Sequence, residues 1–518
     1  MKRHVFLCAL VAIALSNDAS SLNPLHARTA HSVLPSPSTA STILNTTTRH
    51  REWVNVAAGP STVLAFVVYP ERADTAPVVL VRIKNETSSV RARAIADQLA
   101  AEGFIGVVPD VLTGLGPNHT DGDGFTRPDD VAQALRRLGE NEVRRRYDSA
   151  RNYAERLPAA NGTSVWLNFD PREGRADIIF DGLDRAATSV SASAANWPGV
   201  VERLSDVTHN HATFVAASRS RVRLPVDTMS AVAVDPHAMH MAHSMAPAAQ
   251  NQRTGSTASR TIPGLADKPR NLPASYYTAT ATLARSTLKK EWVDIPMGDT
   301  KLHAWVEYPE GNGKAGVVIV MQHGVGLDDW MRSVADQLAA DGFIAVAPDA
   351  WSGTGPNGGN RDSFQFDDEA MRAAARITPD ETQRRYKAAR DWALKLPRAN
   401  GKTGSIGFCA GGGNSFRFAA EVPELNAAVV FYGGSPAEDL AQKIKAPVLG
   451  FYGENDARVT AAVAPTTEMM KRLGKSYEPH IYPKVTHSFV YFQDLSVNRD
   501  AVADAWPRTI AFYSKYLR

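Results

Sequence analysis

The strongest constraint on this sequence is that it matches itself at a constant offset of 239 residues. Six segment pairs recur in the same order without a net gap, at 51–54 and 290–293, 67–71 and 306–310, 96–101 and 335–340, 114–118 and 353–357, 145–147 and 384–386, and 161–162 and 400–401. A repeat of this length is typical of a copied structural unit. The chain is therefore predicted to contain one fold twice.

The register of the repeat predicts that only the second copy can carry out chemistry. Cys409 falls opposite Asp170, and the loop 322–326 (QHGVG) falls opposite 83–87 (IKNET). The match resumes at 207–209 (VTH), which resembles 485–487 (VTH) at an offset of 278, so 39 residues are missing in between. We interpret the first copy as a truncated, inactive relative of the second.

The second copy alternates short β-branched apolar segments with segments of helical period. Strands are predicted at 302–308, 316–321, 343–347, 405–408, 427–432, 448–452 and 477–482. Helices are predicted around Trp330, Val334 and Leu338, which share one helical face, and at 386–396 and 461–473. This alternation predicts an α/β fold with a mostly parallel sheet flanked by helices. Reactive groups in such sheets lie at the carboxyl ends of the strands.

The segment 407–411 (GFCAG) follows one predicted strand and opens a helix. It has the pattern of a nucleophile elbow, with Cys409 in place of serine. The flanking glycines are needed because this turn is strained and crowded. A helix N-terminus also favours the reactive thiolate. The alternative interpretation is a buried structural cysteine before a glycine-rich turn, since free cysteine is among the most buried residue types.

Two further residues follow in the order expected of a catalytic triad. Asp456 comes after the predicted strand 448–452, and His487 comes after 477–482. Nucleophile, acid and histidine is the chain order of α/β-hydrolases. His487 would then accept the thiol proton, while the acid would orient its ring. Glu454 is the competing acid.

The second copy, from about Glu291 to Arg518, resembles the dienelactone hydrolase (carboxymethylenebutenolidase) family. The resemblance rests on 407–413 (GFCAGGG), 346–349 (VAPD), Asp456 after GEN, and 487–489 (HSF). It implies an α/β-hydrolase fold and hydrolysis of a cyclic enol ester through an acyl-cysteine, with Asp456 as the acid and no cofactor. It also implies an oxyanion hole formed by the backbone N–H groups of Gly324 and Ala410.

Two departures from the family pattern concern the substrate. His323 stands where the family usually has a glutamate that helps to govern the protonation of the thiol. Val490 and Tyr491 stand where the family has an arginine for the substrate carboxylate. We expect His323 and Tyr491 to contact the substrate. The resemblance therefore predicts the reaction class, hydrolysis of a carboxylic ester or lactone, and does not single out dienelactone as the substrate.

The N-terminus has the layout of a secretory signal peptide over residues 1–19. Lys2 and Arg3 precede an apolar segment at 5–15, which is too short to span a bilayer comfortably. An uncleaved anchor is the alternative interpretation. Cleavage would remove Cys8 and leave Cys409 as the only thiol of an exported protein, periplasmic or secreted. No integral membrane span is then expected.

Composition divides the rest of the chain into regions and restricts the kinds of partner that the protein can bind. Residues 20–50 are predicted to be a flexible Ser/Thr/Pro segment, 51–215 the degenerate repeat, 216–286 a linker and 287–518 the catalytic domain. A net charge of +3 leaves no excess of basic residues for nucleic acid. The expected partner is a small ester or lactone, and the protein is expected to be a monomer.

The alternative function is a non-catalytic protein that binds small carbonyl compounds. In that interpretation both copies recognise a ligand, and the first copy regulates or scaffolds the second. Copper binding by the linker segment 237–245 (HAMHMAHSM) is part of this alternative, because thioether and imidazole groups are ligands that suit copper. Retention of Cys409, Asp456 and His487 in the second copy favours the enzyme.

Overall fold

The computed structural model describes residues 34–83, 89–117, 120–125, 127–170, 175–180, 188–193, 196–209 and 271–518. The predicted signal peptide and the Met/His segment of the linker lie outside these ranges. Within them, no helix combines the length and the apolar composition needed to cross a bilayer.

The first α/β unit contains a seven-stranded sheet in the order β1-β2-β4-β3-β5-β6-β7. Its strands are β1 (Arg51–Ala58), β2 (Ser61–Val68), β3 (Ala76–Ile83), β4 (Ile105–Asp110), β5 (Ala160–Asp170), β6 (Arg175–Phe180) and β7 (Thr188–Ser193). Its helices are α1 (Pro37–Thr46), α2 (Val90–Ala101), α3 (Pro128–Leu138), α4 (Glu140–Glu155) and α5 (Trp197–His209). Only β3 and its two neighbours pair in parallel, and the other four strand pairs are antiparallel.

The second α/β unit contains an eight-stranded sheet in the order β15-β14-β13-β12-β10-β11-β9-β8. Its strands are β8 (Lys290–Met297), β9 (Thr300–Glu307), β10 (Ala315–Met321), β11 (Ile344–Pro348), β12 (Ala399–Phe408), β13 (Ala427–Phe431), β14 (Val448–Asn455) and β15 (Tyr477–Thr486). All neighbours from β15 to β11 pair in parallel, whereas β9 pairs antiparallel with both β11 and β8. The predicted α/β class and mostly parallel sheet are confirmed for this unit.

Helices cover both faces of the second sheet. They are α6 (Ala279–Arg285), α7 (Asp329–Ala340), α8 (Asp367–Ala374), α9 (Pro379–Ala393), α10 (Ala410–Glu421), α11 (Glu438–Ala441), α12 (Ala457–Thr460), α13 (Val463–Arg472), α14 (Phe489–Phe492) and α15 (Ser496–Leu517). The central strands are buried on both faces, which explains why β10, β11 and β13 are continuous apolar runs.

The two units share more than the strand order of their first five strands. The Tyr69 hydroxyl donates to Glu52, and the Tyr308 hydroxyl donates to Glu291, both at 2.8 Å. Each unit also has an arginine on its long helix that donates to a backbone carbonyl at 2.8 Å, from Arg146 to Val111 and from Arg385 to Ala350. These parallels support the predicted duplication in part, because they stop at β5.

The first unit packs directly against the second. Arg372 of α8 forms ion pairs with three aspartates of the first unit, Asp110, Asp121 and Asp123. The Asn55 amide donates to the carbonyl of Ala375 at 2.6 Å. One apolar core cluster contains side chains from both sheets. The first unit therefore buries part of its own surface against the second unit.

Two boundary predictions differ from the structure. The segment 20–50 was expected to be flexible, but residues 37–46 form α1, which begins at the capping residue Ser36 and buries Ala40 and Leu44. The linker was expected to reach residue 286, yet α6 lies within it and Ala274 is buried. In a Ser/Thr-rich segment the spacing of the few apolar residues does not predict a helix. Tertiary packing therefore determines the structure of both segments.

The predicted resumption of the repeat at Val207 is also wrong. Residues 207–209 lie in α5, whereas the matching residues Val485 and Thr486 end a strand. Three identical residues are too few to fix a register when the intervening chain differs. After β5 the first unit instead turns back into the antiparallel hairpin β6–β7.

Candidate active site

The elbow around Cys409 connects β12 to α10. Cys409 has φ 56° and ψ −118°, a strained conformation for a residue with a side chain. A Cβ on Gly407 would lie 1.8 Å from the carbonyl oxygen of Gly411, and one on Gly411 would lie 2.2 Å from the oxygen of Met321. Both glycines are therefore required by close backbone approach. The thiol lies at the N-terminus of α10 and is buried.

The structure brings Asp456 and His487 together with Cys409. Asp456 follows β14 and His487 follows β15, so both lie at the same sheet edge as Cys409. The Nδ1 of His487 lies 2.5 Å from the Oδ2 of Asp456. Glu454, the competing acid, is exposed and accepts a hydrogen bond from the backbone N–H of Lys484.

The charges at this site favour a thiolate beside an imidazolium. Burial acts to raise the pKa of the Cys409 thiol, but the positive charges of His50 and His487 outweigh it and hold that pKa well below its ordinary value. Burial acts to lower the pKa of His487, whereas Asp456 and Cys409 raise it to about 9. Burial opposes ionisation of Asp456, and His487 nevertheless lowers its pKa.

The two residues predicted to form the oxyanion hole lie near the thiol. Gly324 follows β10, and a Cβ built on it would lie 4.0 Å from the Sγ of Cys409. Ala410 is the first residue of α10, where backbone N–H groups have no partner within the helix. A loop after β10 and the N-terminus of α10 thus both lie next to Cys409.

His323 and Tyr491, predicted to contact the substrate, contact each other. Their ring centroids are 4.8 Å apart. Both reach Asp328: the Nε2 of His323 lies 3.3 Å from its Oδ1, and the Tyr491 hydroxyl lies 3.4 Å from its Oδ2. The missing family glutamate is therefore replaced locally by an imidazole that is paired with an aspartate. Contact with a substrate stays a prediction for both residues.

His50 is a residue of this site that sequence reasoning missed. It precedes β1 of the first unit, and its Nδ1 lies 3.4 Å from the Sγ of Cys409. Its ring centroid is 4.4 Å from that of His487. On the far side, its Nε2 lies 3.8 Å from Glu52. No motif in the sequence marks His50, because it is 359 positions from Cys409 and reaches it only through the docking of the two units.

Two other buried residues near the site were also missed. Tyr432 follows β13 with φ 40°, and its ring centroid is 4.8 Å from that of His487. Its hydroxyl has no hydrogen-bond partner among the described residues. Arg51, next to His50, is buried, and its Nε and Nη1 likewise have no hydrogen-bond partner within the described ranges. Its positive charge acts on Tyr491.

Comparison with known proteins places the second unit in one family. The model of the family described as "Dienelactone hydrolase family" matches residues 302–517. A protein of Saccharolobus solfataricus named "Putative carboxymethylenebutenolidase" is 29% identical over 244 residues, which cover 41% of this chain and 93% of that protein. A protein of Methylorubrum extorquens with the same name is 27% identical over 256 residues, covering 47% of this chain and 87% of the relative.

A solved structure of a dienelactone hydrolase from Anabaena variabilis shares 22% identity and has a TM-score of 0.35, with 45% of this chain and 99% of that chain covered. The family match includes the elbow, the acid and the histidine, and both sequence relatives are covered over most of their length. Over residues 302–517 the second unit of this chain therefore matches the dienelactone hydrolase family of α/β-hydrolases.

Proposed function

We propose that the second unit hydrolyses carboxylic esters or lactones with Cys409 as nucleophile, His487 as base and Asp456 as the acid that orients His487. The observation that carries the proposal is the buried Asp456–His487 contact beside a thiol on an elbow. A ring nitrogen of His487 lies within 4.8 Å of the Sγ of Cys409. Since Nδ1 is held by Asp456, Nε2 is the nitrogen left for the thiol proton.

Acylation uses the charge separation already present at the site. The thiolate of Cys409 attacks the carbonyl carbon, and the carbonyl oxygen becomes an oxyanion that accepts hydrogen bonds from the N–H groups of Gly324 and Ala410. The C–O bond of the ester then breaks, and His487 donates its proton to the departing oxygen. From a lactone, that oxygen stays attached to the acyl group through the opened ring.

Deacylation repeats the steps with water. His487, now neutral, accepts a proton from a water molecule that attacks the thioester carbonyl. Collapse of the second oxyanion breaks the C–S bond and releases a carboxylic acid. The thiolate of Cys409 and the imidazolium of His487 are restored, with Asp456 keeping the ring in place throughout.

We further propose that the preferred substrate carries a carboxylate. Arg51 supports this, because a buried guanidinium with unpaired nitrogens is costly unless a ligand meets it. Arg51→Met is then expected to raise KM at least about tenfold for an ester that bears a carboxylate and to leave KM for a neutral ester of the same size nearly unchanged. Equal effects on both esters would contradict this substrate preference.

The decisive experiment compares the two positions that the repeat places in register. Cys409→Ala is expected to lower kcat/KM for a small aryl ester by at least about 10³-fold. Asp170→Asn, at the corresponding place of the first unit, is expected to leave it within about twofold. Full esterase activity in Cys409→Ala would contradict the proposal. Saturable binding of an ester without turnover in the wild type would favour the non-catalytic alternative.

A further inference from the structure

We propose that Cys409, His50 and His487 form a binding site for a zinc ion, and that zinc bound there switches the hydrolase off. The binding site stands on the geometry of the three side chains alone. The switching effect rests on the proposed function, because it requires Cys409 to be the nucleophile and His487 to be the base.

The three donor atoms have the spacing of a zinc site. The Sγ of Cys409, a ring nitrogen of His50 and a ring nitrogen of His487 all lie within 4.8 Å of one another. In a tetrahedral site with Zn–S of about 2.3 Å and Zn–N of about 2.0–2.1 Å, sulfur and nitrogen ligands are roughly 3.5 Å apart. The observed distance of 3.4 Å from Sγ to the Nδ1 of His50 fits this value.

The donor chemistry also suits zinc. One sulfur and two imidazole nitrogens are ligands that zinc prefers, and three protein ligands leave a fourth position for water. The Nε2 of His487 is buried and has no hydrogen-bond partner among the residues that the structure describes. It is thus an unpaired buried nitrogen beside the thiol.

Each imidazole has a carboxylate on its outer side. Asp456 lies 2.5 Å from the Nδ1 of His487, and Glu52 lies 3.8 Å from the Nε2 of His50. Carboxylates in this position orient histidine ligands and strengthen their binding to metals. The arrangement of carboxylate, histidine and donor atom therefore occurs twice around one thiol.

His50 is held in place by the sheet of the first unit. Its carbonyl accepts a hydrogen bond from the N–H of Tyr69 at 3.0 Å, and its ring lies 5.3 Å from the Tyr69 ring. The backbone pairing has a counterpart in the second unit, where Lys289 accepts from the N–H of Tyr308 at 2.9 Å. There the side chain is a lysine that is 70% exposed. Of these two corresponding positions, it is position 50 of the first unit that places a metal-ligating group beside a thiol.

Zinc at this site would occupy both reacting groups. A coordinated thiolate cannot attack a carbonyl carbon, and a coordinated Nε2 of His487 cannot accept a proton. The expected result is reversible inhibition that is relieved when a chelator removes the ion. Because His50 belongs to the first unit, that unit would give the second a sensitivity to zinc that it would not have alone.

Cobalt tests the site with a signal that only a thiolate gives. Co²⁺ is added to the chelator-treated full-length protein, and thiolate-to-cobalt charge-transfer absorption is recorded. We expect a saturable band in the wild type that Zn²⁺ displaces, no band in Cys409→Ala, and at least about 100-fold weaker Co²⁺ binding in His50→Gln, since even loss of a group that only orients a ligand costs 10–100-fold. This signal excludes binding by His and Met residues of the linker.

Two controls keep the outcome clear. His480→Gln removes an imidazole outside the site and should leave the band and the affinity unchanged. In the wild type, Zn²⁺ should also protect Cys409 from alkylation by iodoacetamide, a measurement that needs no variant. No saturable band, or an unchanged affinity in His50→Gln, would overturn the zinc site. Retained esterase activity in Cys409→Ala with an intact wild-type band would instead overturn the proposed function alone.

Discussion

The two α/β units follow the same path through five strands and separate at one point. After β5 the chain reaches Asp170 and continues into an antiparallel hairpin. After β12 it reaches Cys409, opens α10 and adds three more parallel strands. The comparison teaches that the shared half of the fold is a scaffold, whereas the thiol, the acid and the histidine all depend on the part that the first unit lacks.

The comparison also shows why the first unit is not redundant. Positions 50 and 289 make the same backbone hydrogen bond to a following tyrosine. His50 nevertheless reaches Cys409, while Lys289 stays exposed above the Tyr308 ring. The residue before the edge strand β1 of the first sheet thus lies at the site of the second unit, whereas the residue before the matching edge strand β8 is exposed.

The largest expected effect concerns the acid that only the second unit can position. Asp456→Asn should lower kcat/KM for an aryl ester about 10³-fold or more, because His487 would lose the carboxylate that holds its ring and stabilises its charge. Steady-state kinetics on folded protein measures this effect. Asp391→Asn, an exposed aspartate of the same unit, serves as the control. Loss of less than tenfold in Asp456→Asn would contradict the role of the acid.

The next effect concerns the docking of the units. Arg372→Gln should lower the free energy of unfolding by about 3–5 kcal/mol, because the buried carboxylates of Asp110 and Asp121 would lose a guanidinium that pairs with both. Urea unfolding followed by fluorescence measures the change. Arg384→Gln removes an exposed pair with Glu381 and should cost less than about 0.5 kcal/mol. Equal losses in the two variants would show that the interface pairs add nothing beyond surface pairs.

A smaller effect distinguishes the elbow from an ordinary loop. Gly411→Ala should destabilise the protein by about 1–3 kcal/mol, because the new Cβ would meet the carbonyl oxygens of Met321 and Gln322 within 2.6 Å. A Cβ on Gly313 meets nothing within 4 Å, so Gly313→Ala should be nearly neutral. Thermal unfolding of both variants provides the measurement. Equal melting temperatures would mean that the elbow relaxes freely.

The smallest effect concerns Glu307, a buried acid of the second unit. The corresponding residue of the first unit is Val68. Burial and the nearby Asp336 raise the pKa of Glu307 to about 8. An unfolded glutamate loses its proton near pH 4.5, so stability should be full below that pH and should fall as the pH rises to about 8. Glu307→Gln should remove this decline and be more stable at pH 9 by on the order of 1–2 kcal/mol.

Urea unfolding at pH 4, 6, 8 and 9 compares Glu307→Gln with the wild type. In the first unit, the aspartate that corresponds to Asp336 is Asp97, which pairs with Arg49. The residue that corresponds to Glu307 is Val68, so the first unit has no acid at that position. Parallel pH profiles for the wild type and Glu307→Gln would show that Glu307 is ionised at neutral pH in the folded protein.

Much of the second unit could be predicted from its sequence. Each of the seven predicted strands overlaps an observed strand, and the clearest are β10, β11 and β13, because buried parallel strands are continuous apolar runs. The missed strand β8 has exposed and half-buried residues along most of its length, so its apolar pattern is weak. The helix α1 was missed for a related reason, since among its side chains with described burial only Ala40 and Leu44 are buried, between serines and threonines.

The sequence by itself determined the repeat, the α/β alternation and the order of Cys409, Asp456 and His487, because these depend on local spacing and chain order. Only the tertiary structure decided that His50 lies against Cys409, that Arg372 joins the units and that Asp456 rather than Glu454 faces His487. These contacts join residues far apart in the chain or depend on the direction of a side chain after a strand. Such contacts arise from packing, which leaves no periodic pattern in the sequence.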